Sequence, residues 1–429
     1  ARSRRPHLTK LGQGQVFGPE GSLMKPRHCR LTVDLRFPRI SAMTLDSTAR
    51  RYDLDWLRII AFGLLIFYHV GMFYVTWGWH VKSIYASPSA EPLMRLVSPW
   101  RLALLFFISG VAIRFATDKA ESLGRFAWSR IARLGVPLLF GLYVWVMPQA
   151  YYQVRQSGEF TGSMLAFYPD YAALEQSFST ITPTWNHLWY LAYVLVYILI
   201  ALALLPWLRR VPKSRAWQSL TSRPLIVVFV LILPFVANET WLSPLYPTTH
   251  NLISDWAHHA HRFMIFILGF FVAKDARFWY SVNRVWKFMP ILAAAAFLLL
   301  LNRQDIENWA RPFMPDTLLR LFFSYLMVSY AWSCILTLLG FGQRFLNRES
   351  PLLRYLTGAI FCYYVLHQTI TVVAGYYLTE YKLGVVVEAS LVLTITVAAC
   401  VLGYELIRRI PHVGLLFGVH DVSGFRSGR

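Results

Sequence analysis

Arg58 and His69 stand eleven residues apart in one apolar run, Trp56-Leu-Arg-Ile-Ile-Ala-Phe-Gly-Leu-Leu-Ile-Phe-Tyr-His69. In a helix, eleven steps of about 100° bring both side chains to one face, about 16 Å apart along the axis. Continued to Trp79, the run is long enough to cross a bilayer, which takes about 20 mostly apolar residues. Ionisable groups inside such a segment are costly, so a pair on one stripe reads as a functional site. The fixed cation suits a phosphate, and the imidazole suits abstraction and return of a proton. Asp55, three residues before Arg58, shares its face and is placed to orient it by pairing. The bland alternative makes Arg58 a marker of the helix end and His69 a satisfied core histidine.

Other residues invite the same scrutiny. Arg130 and Arg133, three apart, put two guanidinium groups on one helix face, where one diphosphate could engage both. Arg114 lies near the same end of its own run and is a further candidate. His367, flanked by Tyr363, Tyr364 and Gln368, is the rival for a base; its alternative role is a hydrogen bond between helices. Ser109-Gly110 interrupts an apolar run with small residues, and the better reading is close helix packing. Trp185 and His187 belong to an aromatic, polar segment that suits both a membrane interface and stacking on sugar. His258, His259 and His261 have no carboxylate or Cys at ligand spacing, so no metal is expected. Arg262 beside them is expected to pair with Asp255 or Glu239.

The elements that must carry these residues are membrane helices. Hydrophobic residues make up 56% of the 429 positions and charged ones 15%, which excludes an ordinary soluble domain. Apolar runs recur at about 56–78, 93–116, 134–153, 187–207, 224–238, 256–273, 286–301, 317–340, 356–379 and 385–407. The expectation is an all-α polytopic protein of about ten transmembrane helices, with 224–238 and 286–301 the shortest. A net charge of +20 raises the question of nucleic acid, but the charge is concentrated in alternate connections. Lys119, Arg125, Arg130 and Arg133 fall in one; Arg209, Arg210, Lys213, Arg215 and Arg223 in another; Lys274, Arg277, Arg284 and Lys287 in a third. That is the positive-inside asymmetry. It puts both termini in the cytoplasm and leaves no nucleic-acid partner; the partner is the bilayer. Cys29, Cys334, Cys362 and Cys400 have no metal-ligand spacing and read as packing residues. Residues 1–50 are basic and irregular, a cytosolic disordered tail or a start called too early, with Met43 the alternative start. Residues 411–429 read as a short cytosolic tail.

Taken in order, these motifs resemble the acyltransferase-3 family of bacterial membrane O-acyltransferases, over roughly residues 51–410. The resemblance rests on Arg58 and His69 in helix one, Phe106-Phe-Ile-Ser-Gly110 in helix two and Arg130-Ile-Ala-Arg133 just before helix three. His187-Leu-Trp-Tyr-Leu191 and Tyr364-Val-Leu-His367 are weaker echoes. The arrangement is similar to the stand-alone, glucan-modifying members. The resemblance implies a multi-pass protein of the bacterial cytoplasmic (inner) membrane. Such a protein moves an acyl group, of the acetyl or succinyl class, from cytosolic acyl-coenzyme A to a glycan or glucan hydroxyl. Arg58, Arg130 and Arg133, with Arg114, would hold the donor phosphates, and the roughly 16 Å to His69 is about the reach of a pantetheine arm. His69 would be the base, with His367 its rival, and Trp185 and His187 would meet the acceptor. The competing class is a secondary transporter or flippase using Arg58 and His69 as substrate or proton sites. Such proteins commonly show internal repeats, and the two halves of this chain show no convincing similarity.

Overall fold

Two carboxylates open the first helix. Asp53 and Asp55 lie in the first turn of α1, Tyr52–Gly71, where negative charge offsets the unpaired N–H groups and the helix dipole. Arg51 grips the buried Asp53 with two hydrogen bonds of 2.6 and 2.8 Å. Twenty residues rise about 30 Å, the thickness of a bilayer core. The helix ends short of the apolar run, which continues to Trp79. Lys82 accounts for the difference, because its Nζ donates to the carbonyl oxygens of Met72 and Val75, each at 2.7 Å. Carbonyls left without helical partners are thereby satisfied, and the chain turns back.

The computed structural model describes residues 50–174, 176–410 and 412–419. The basic segment 1–49, with its alternative start at Met43, lies outside the described residues, as do residues 420–429. After α1 come α2, Glu91–Lys119, and α3, Leu123–Phe140. The turn Gly141–Trp145 joins α3 to α4, Met147–Gln156; α5, Met164–Ala172, and α6, Trp189–Ala203, follow. Four long helices dominate the remainder: Trp256–Val272, Asp316–Phe341, Pro351–Thr379 and Val385–Ile407. Among the described residues eight helical segments are long and apolar enough to cross a membrane, and nine with the pair Ala276–Val285 and Met289–Leu301, bent by 69°. The protein is all-α and polytopic. Trp256–Val272, with 17 residues, is at the lower limit of a span.

Proline explains the two weakest runs. Pro290 follows the bend into Met289–Leu301, where a residue without N–H starts a new helix more easily than it continues an old one. Pro234 divides Pro224–Phe229 from Leu233–Ala237. Helix three departs from expectation at its start. Ser122 caps it by accepting from the Arg125 N–H at 3.4 Å, so Arg130 and Arg133 lie within α3 rather than ahead of it. The 411–429 tail is not free in its described part. Phe417 packs edge-on against Phe140 and Trp145 at 5.1 and 5.4 Å, drawn in by the apolar Val413, Leu416 and Val419 around it.

Contacts give the helices their directions. α1 and Pro351–Thr379 run parallel, since Tyr52 meets Glu349 and His69 meets His367. α2 and Trp256–Val272 also run parallel, locked by reciprocal glycines. A Cβ on Gly110 would lie 1.8 Å from the Phe266 carbonyl oxygen, and one on Gly269 2.1 Å from that of Phe107. Only glycine permits such an approach, as the small residues of Ser109-Gly110 suggest. α1 and α2 are antiparallel: Tyr68 reaches Ser98, and Gly71 lies under Met94. One end of the bundle therefore collects Arg51, Arg114, Arg209 and Lys274, with Asp118 paired to the last three. The other end carries the loop 72–87 and the segments leading into α6 and Trp256–Val272.

Candidate active site

α1 is an unbroken helix, so Arg58 and His69 share a stripe as their spacing requires. His69 meets His367 across the interface with Pro351–Thr379. His69 Nδ1 and His367 Nε2 are 2.9 Å apart. The rings lie within 5° of parallel with centroids 5.0 Å apart, as an in-plane hydrogen bond needs. The protons can be assigned from the partners. His367 Nδ1 faces the carbonyl oxygens of Tyr364 at 2.7 Å and Tyr363 at 3.2 Å, which only accept, so it carries the hydrogen. In the neutral pair His367 Nε2 then accepts from His69 Nδ1–H. His69 Nε2 keeps its lone pair.

His69 lines a cavity of about 790 Å³, and His367 does not. Trp185 and His187 line the same cavity, so the expected base and both expected acceptor contacts come together there. His187 Nε2 donates to the Val365 carbonyl oxygen at 3.2 Å, which leaves Nδ1 as an acceptor; that nitrogen is buried and has no partner among the described residues. Tyr364 fixes the His187 backbone by donating its hydroxyl hydrogen to the carbonyl oxygen. Trp185 Nε1 donates to the His250 carbonyl oxygen at 3.1 Å, leaving the indole face on the cavity wall. Trp79, Trp189 and Tyr190 add aromatic surface, and Asn186, Gln368 and Thr249 add polar groups. Aromatic faces among hydrogen-bonding groups can hold a polyhydroxylated molecule by stacking and by its hydroxyls.

His80 and Gln368 complete one wall. His80 Nδ1 donates to Gln153 Oε1 at 2.7 Å, and Nε2 accepts from Gln368 Nε2 at 3.0 Å. Burial holds the His80 imidazole below its ordinary pKa and so keeps it neutral, as both bonds require. Burial acts likewise on His250, whose pKa is also lowered.

The arginines expected to hold the donor are not in this cavity. Arg58, with Asp55 Oδ1 at 3.2 Å, belongs to the opposite half of α1, near its start. The charges of Arg130 and Arg58 both act on Arg133, so α1 and α3 bring the three into one neighbourhood. Arg58 and Arg130 each have a buried Nε without a partner among the described residues. Arg114 is drawn aside: it pairs with Asp118, which also takes Arg209 and Lys274, so its guanidinium is held in that cluster. Tyr190 connects the halves. Its hydroxyl is 2.8 Å from Ser109 Oγ, it feels the charge of Arg58, and its ring reaches the cavity.

Two charged cavity residues escaped the sequence reading or were placed elsewhere by it. Arg101, inside α2, is buried; an arginine well within the apolar run 93–116 was the signal. Arg262 does not pair with Asp255 or Glu239. Its Nε points to His258 Nε2 at 3.4 Å, while Asp255 is occupied by the Tyr193 hydroxyl and the N–H groups of Thr249 and His250. The neighbouring histidines diverge: His258 packs on Trp189, His259 on Tyr193 and His261 on Phe235.

Comparison with known proteins gives the family. Glucans biosynthesis protein C of Salmonella paratyphi A and that of Salmonella agona are each 23% identical to the chain over 378 residues, covering 86% of it and 94% of the relative. The protein of the same name from Salmonella schwarzengrund is 22% identical over the same length. No solved structure matches the chain. The acyltransferase domain model of the acyltransferase-3 family matches residues 51–405, and this multi-pass membrane protein belongs to that family of O-acyltransferases.

Proposed function

We propose that the protein transfers an acyl group, of the acetyl or succinyl class, from a cytosolic coenzyme A thioester to a hydroxyl of a glycan. Arg58, Arg130 and Arg133 bind the donor phosphates at one end of the bundle. The acceptor occupies the cavity at the other, against Trp185 and His187. His69 Nε2 takes the proton of the acceptor hydroxyl as its oxygen attacks the thioester carbonyl carbon. The carbon–sulfur bond breaks, and the imidazolium returns the proton to the coenzyme A sulfur. His367 holds His69 in the tautomer that makes this possible. The reading requires cytosolic thioester on one side of the membrane, hence the bacterial cytoplasmic (inner) membrane. The name of the Salmonella relatives supports a glucan as the acceptor.

The observation that carries the reading is the His69–His367 bond of 2.9 Å beside a cavity lined by His69. The test is mass spectrometry of cell glycans from a strain lacking the protein, complemented with the native chain or with His69→Gln. Native protein should restore acyl groups and His69→Gln should not, since an amide cannot act as a base. Restoration by the glutamine variant to the native level refutes the assignment.

A further inference from the structure

Two arginines share the cavity with His69, and no carboxylate shares it with them. Arg101 is 3% exposed. Its guanidinium lies 3.6 Å over the Tyr68 ring, and its Nε and Nη1 have no hydrogen-bond partner among the described residues. Arg262 approaches from the neighbouring helix, and its Nη1 is likewise buried without a partner among the described residues. Both line the cavity, whose lining includes no Asp or Glu; the charge of Arg262 acts on Arg101, and Glu239 and Asp255 act on Arg262 from outside the cavity without forming an ion pair with it. A guanidinium keeps its proton, and a buried charge without a counter-charge is strongly destabilising. Two guanidinium groups with buried N–H donors that lack partners among the described residues, and with no carboxylate paired to either, call for an anion at this level of a membrane protein. The glycine contacts between α2 and Trp256–Val272 hold that level, because they fix the two helices backbone to backbone.

We infer that Arg101 and Arg262 form a binding site for an oxyanion, a carboxylate or a phosphate, carried by one of the two reacting partners. This rests on the transfer reading and narrows its substrates. A neutral acyl group moved to a neutral sugar would leave both guanidinium groups unpaired. The anion belongs either to the far end of the acyl chain, as the second carboxylate of a dicarboxylic acid, or to an acidic substituent on the glycan. Planar guanidinium groups suit either, by paired N–H···O bonds. The indole N–H of Trp79, also buried without a partner among the described residues and on the same wall, can add a third donor.

The test begins with binding, which needs no turnover and so fails or succeeds apart from the transfer reading. Purified protein in lipid nanodiscs is heated with succinate, phosphate or glucose, and unfolding is followed by tryptophan fluorescence. Both anions should raise the melting temperature and glucose should not. Arg101→Gln and Arg262→Gln should each lose the rise, and without anion they should melt no lower than the native protein, since a buried repulsion is removed. If either glutamine variant fails to fold, Arg101→Lys or Arg262→Lys replaces it and should keep part of the rise. No rise in the native protein, or an undiminished rise in both glutamine variants, overturns the site. Transfer then identifies the source, measured with thioesters that carry or lack a distal carboxylate and with neutral or acidic glucans. Arg101→Gln should cost the anionic partner about 10- to 100-fold more than its neutral counterpart, the worth of a charged hydrogen bond. A larger loss with the dicarboxylic thioester assigns the anion to the acyl group, and a larger loss with the acidic glucan assigns it to the acceptor. Equal losses for all substrates overturn the proposal.

Discussion

Replacing His367 with leucine tests whether the second histidine is a base or the holder of one. Leucine removes the acceptor that His69 Nδ1–H meets at 2.9 Å, in a place where His69 is 7% exposed. The N–H must then stay unsatisfied, at about 1–3 kcal/mol, or the ring must change tautomer and put its hydrogen on Nε2. The second outcome removes the lone pair from the nitrogen assigned to the acceptor proton. At about 1.4 kcal/mol per factor of ten, the competent tautomer becomes about 5- to 150-fold rarer, and transfer should slow by the same factor. His69→Gln deletes the base itself and should lose the whole acid–base contribution, about 10²- to 10⁴-fold. His367→Gln should recover much of the leucine loss, because its Oε1 can accept from His69 Nδ1–H. The assay is release of free coenzyme A thiol by purified protein in nanodiscs, with acceptor present. Leucine-variant rates equal to native would show that the bond does not set the tautomer. A loss as deep as that of His69→Gln, with no recovery by glutamine, would make His367 the base and refute the assignment.

Gly110→Ala should destabilise the bundle by about 1–3 kcal/mol, since its Cβ meets a backbone carbonyl at 1.8 Å. Gly63→Ala, with open space around its Cβ, should stabilise α1 by about 0.4–1 kcal/mol; thermal unfolding of the two variants in the same direction would contradict the packing argument. Arg133→Ala should weaken coenzyme A binding in isothermal titration, with Arg133→Lys restoring it only partly because a point charge replaces a planar fork; unchanged affinity counts against the donor site. Acidification should destabilise the His80 wall. Its folded pKa is lowered by burial while the unfolded chain takes up a proton below about 6.5, so stability is lost as pH falls through 6.5 towards the folded value. His80→Asn should flatten that loss by up to about 1.4 kcal/mol per pH unit, and identical unfolding profiles from pH 7 to 5 would exclude the role.

How much of this was legible in the sequence depends on whether a contact is local. The shared face of Arg58 and His69 follows from helical period alone, and the pairing of Arg58 with Asp55 from spacing three. The end of α1 does not, because the lysine that satisfies its last carbonyls comes from ten residues beyond Met72. The partnership of His69 with His367 spans 298 positions and depends on two helices running side by side in the same direction, for which no local pattern exists. Arg101 was within reach of sequence reasoning. It interrupts an apolar run as His69 does, and the cost that singled out the histidine applies more strongly to a permanent charge. Arg262 was noticed, but the pairing expectation fell on Asp255 and Glu239. In space, Asp255 is already occupied by a tyrosine and two backbone N–H groups.

The two halves of the site are held by different means. Arg58 and His69 ride on one continuous helix, so their separation is a property of α1 and survives shifts of that helix as a body. Arg101 and Arg262 ride on separate helices, and their separation is a property of the contact where Gly110 and Gly269 meet the carbonyls of Phe266 and Phe107. A displacement of about 1 Å at a reacting centre can cost a factor of about 10², so the glycine contact is where substrate fit is most exposed to mutation. The proposed donor end should be more tolerant, because its charges come from flexible side chains on α1 and α3 that can follow a phosphate. On the proposed mechanism, packing governs which partner the cavity accepts, while the helical repeat governs how far a thioester must reach to meet His69.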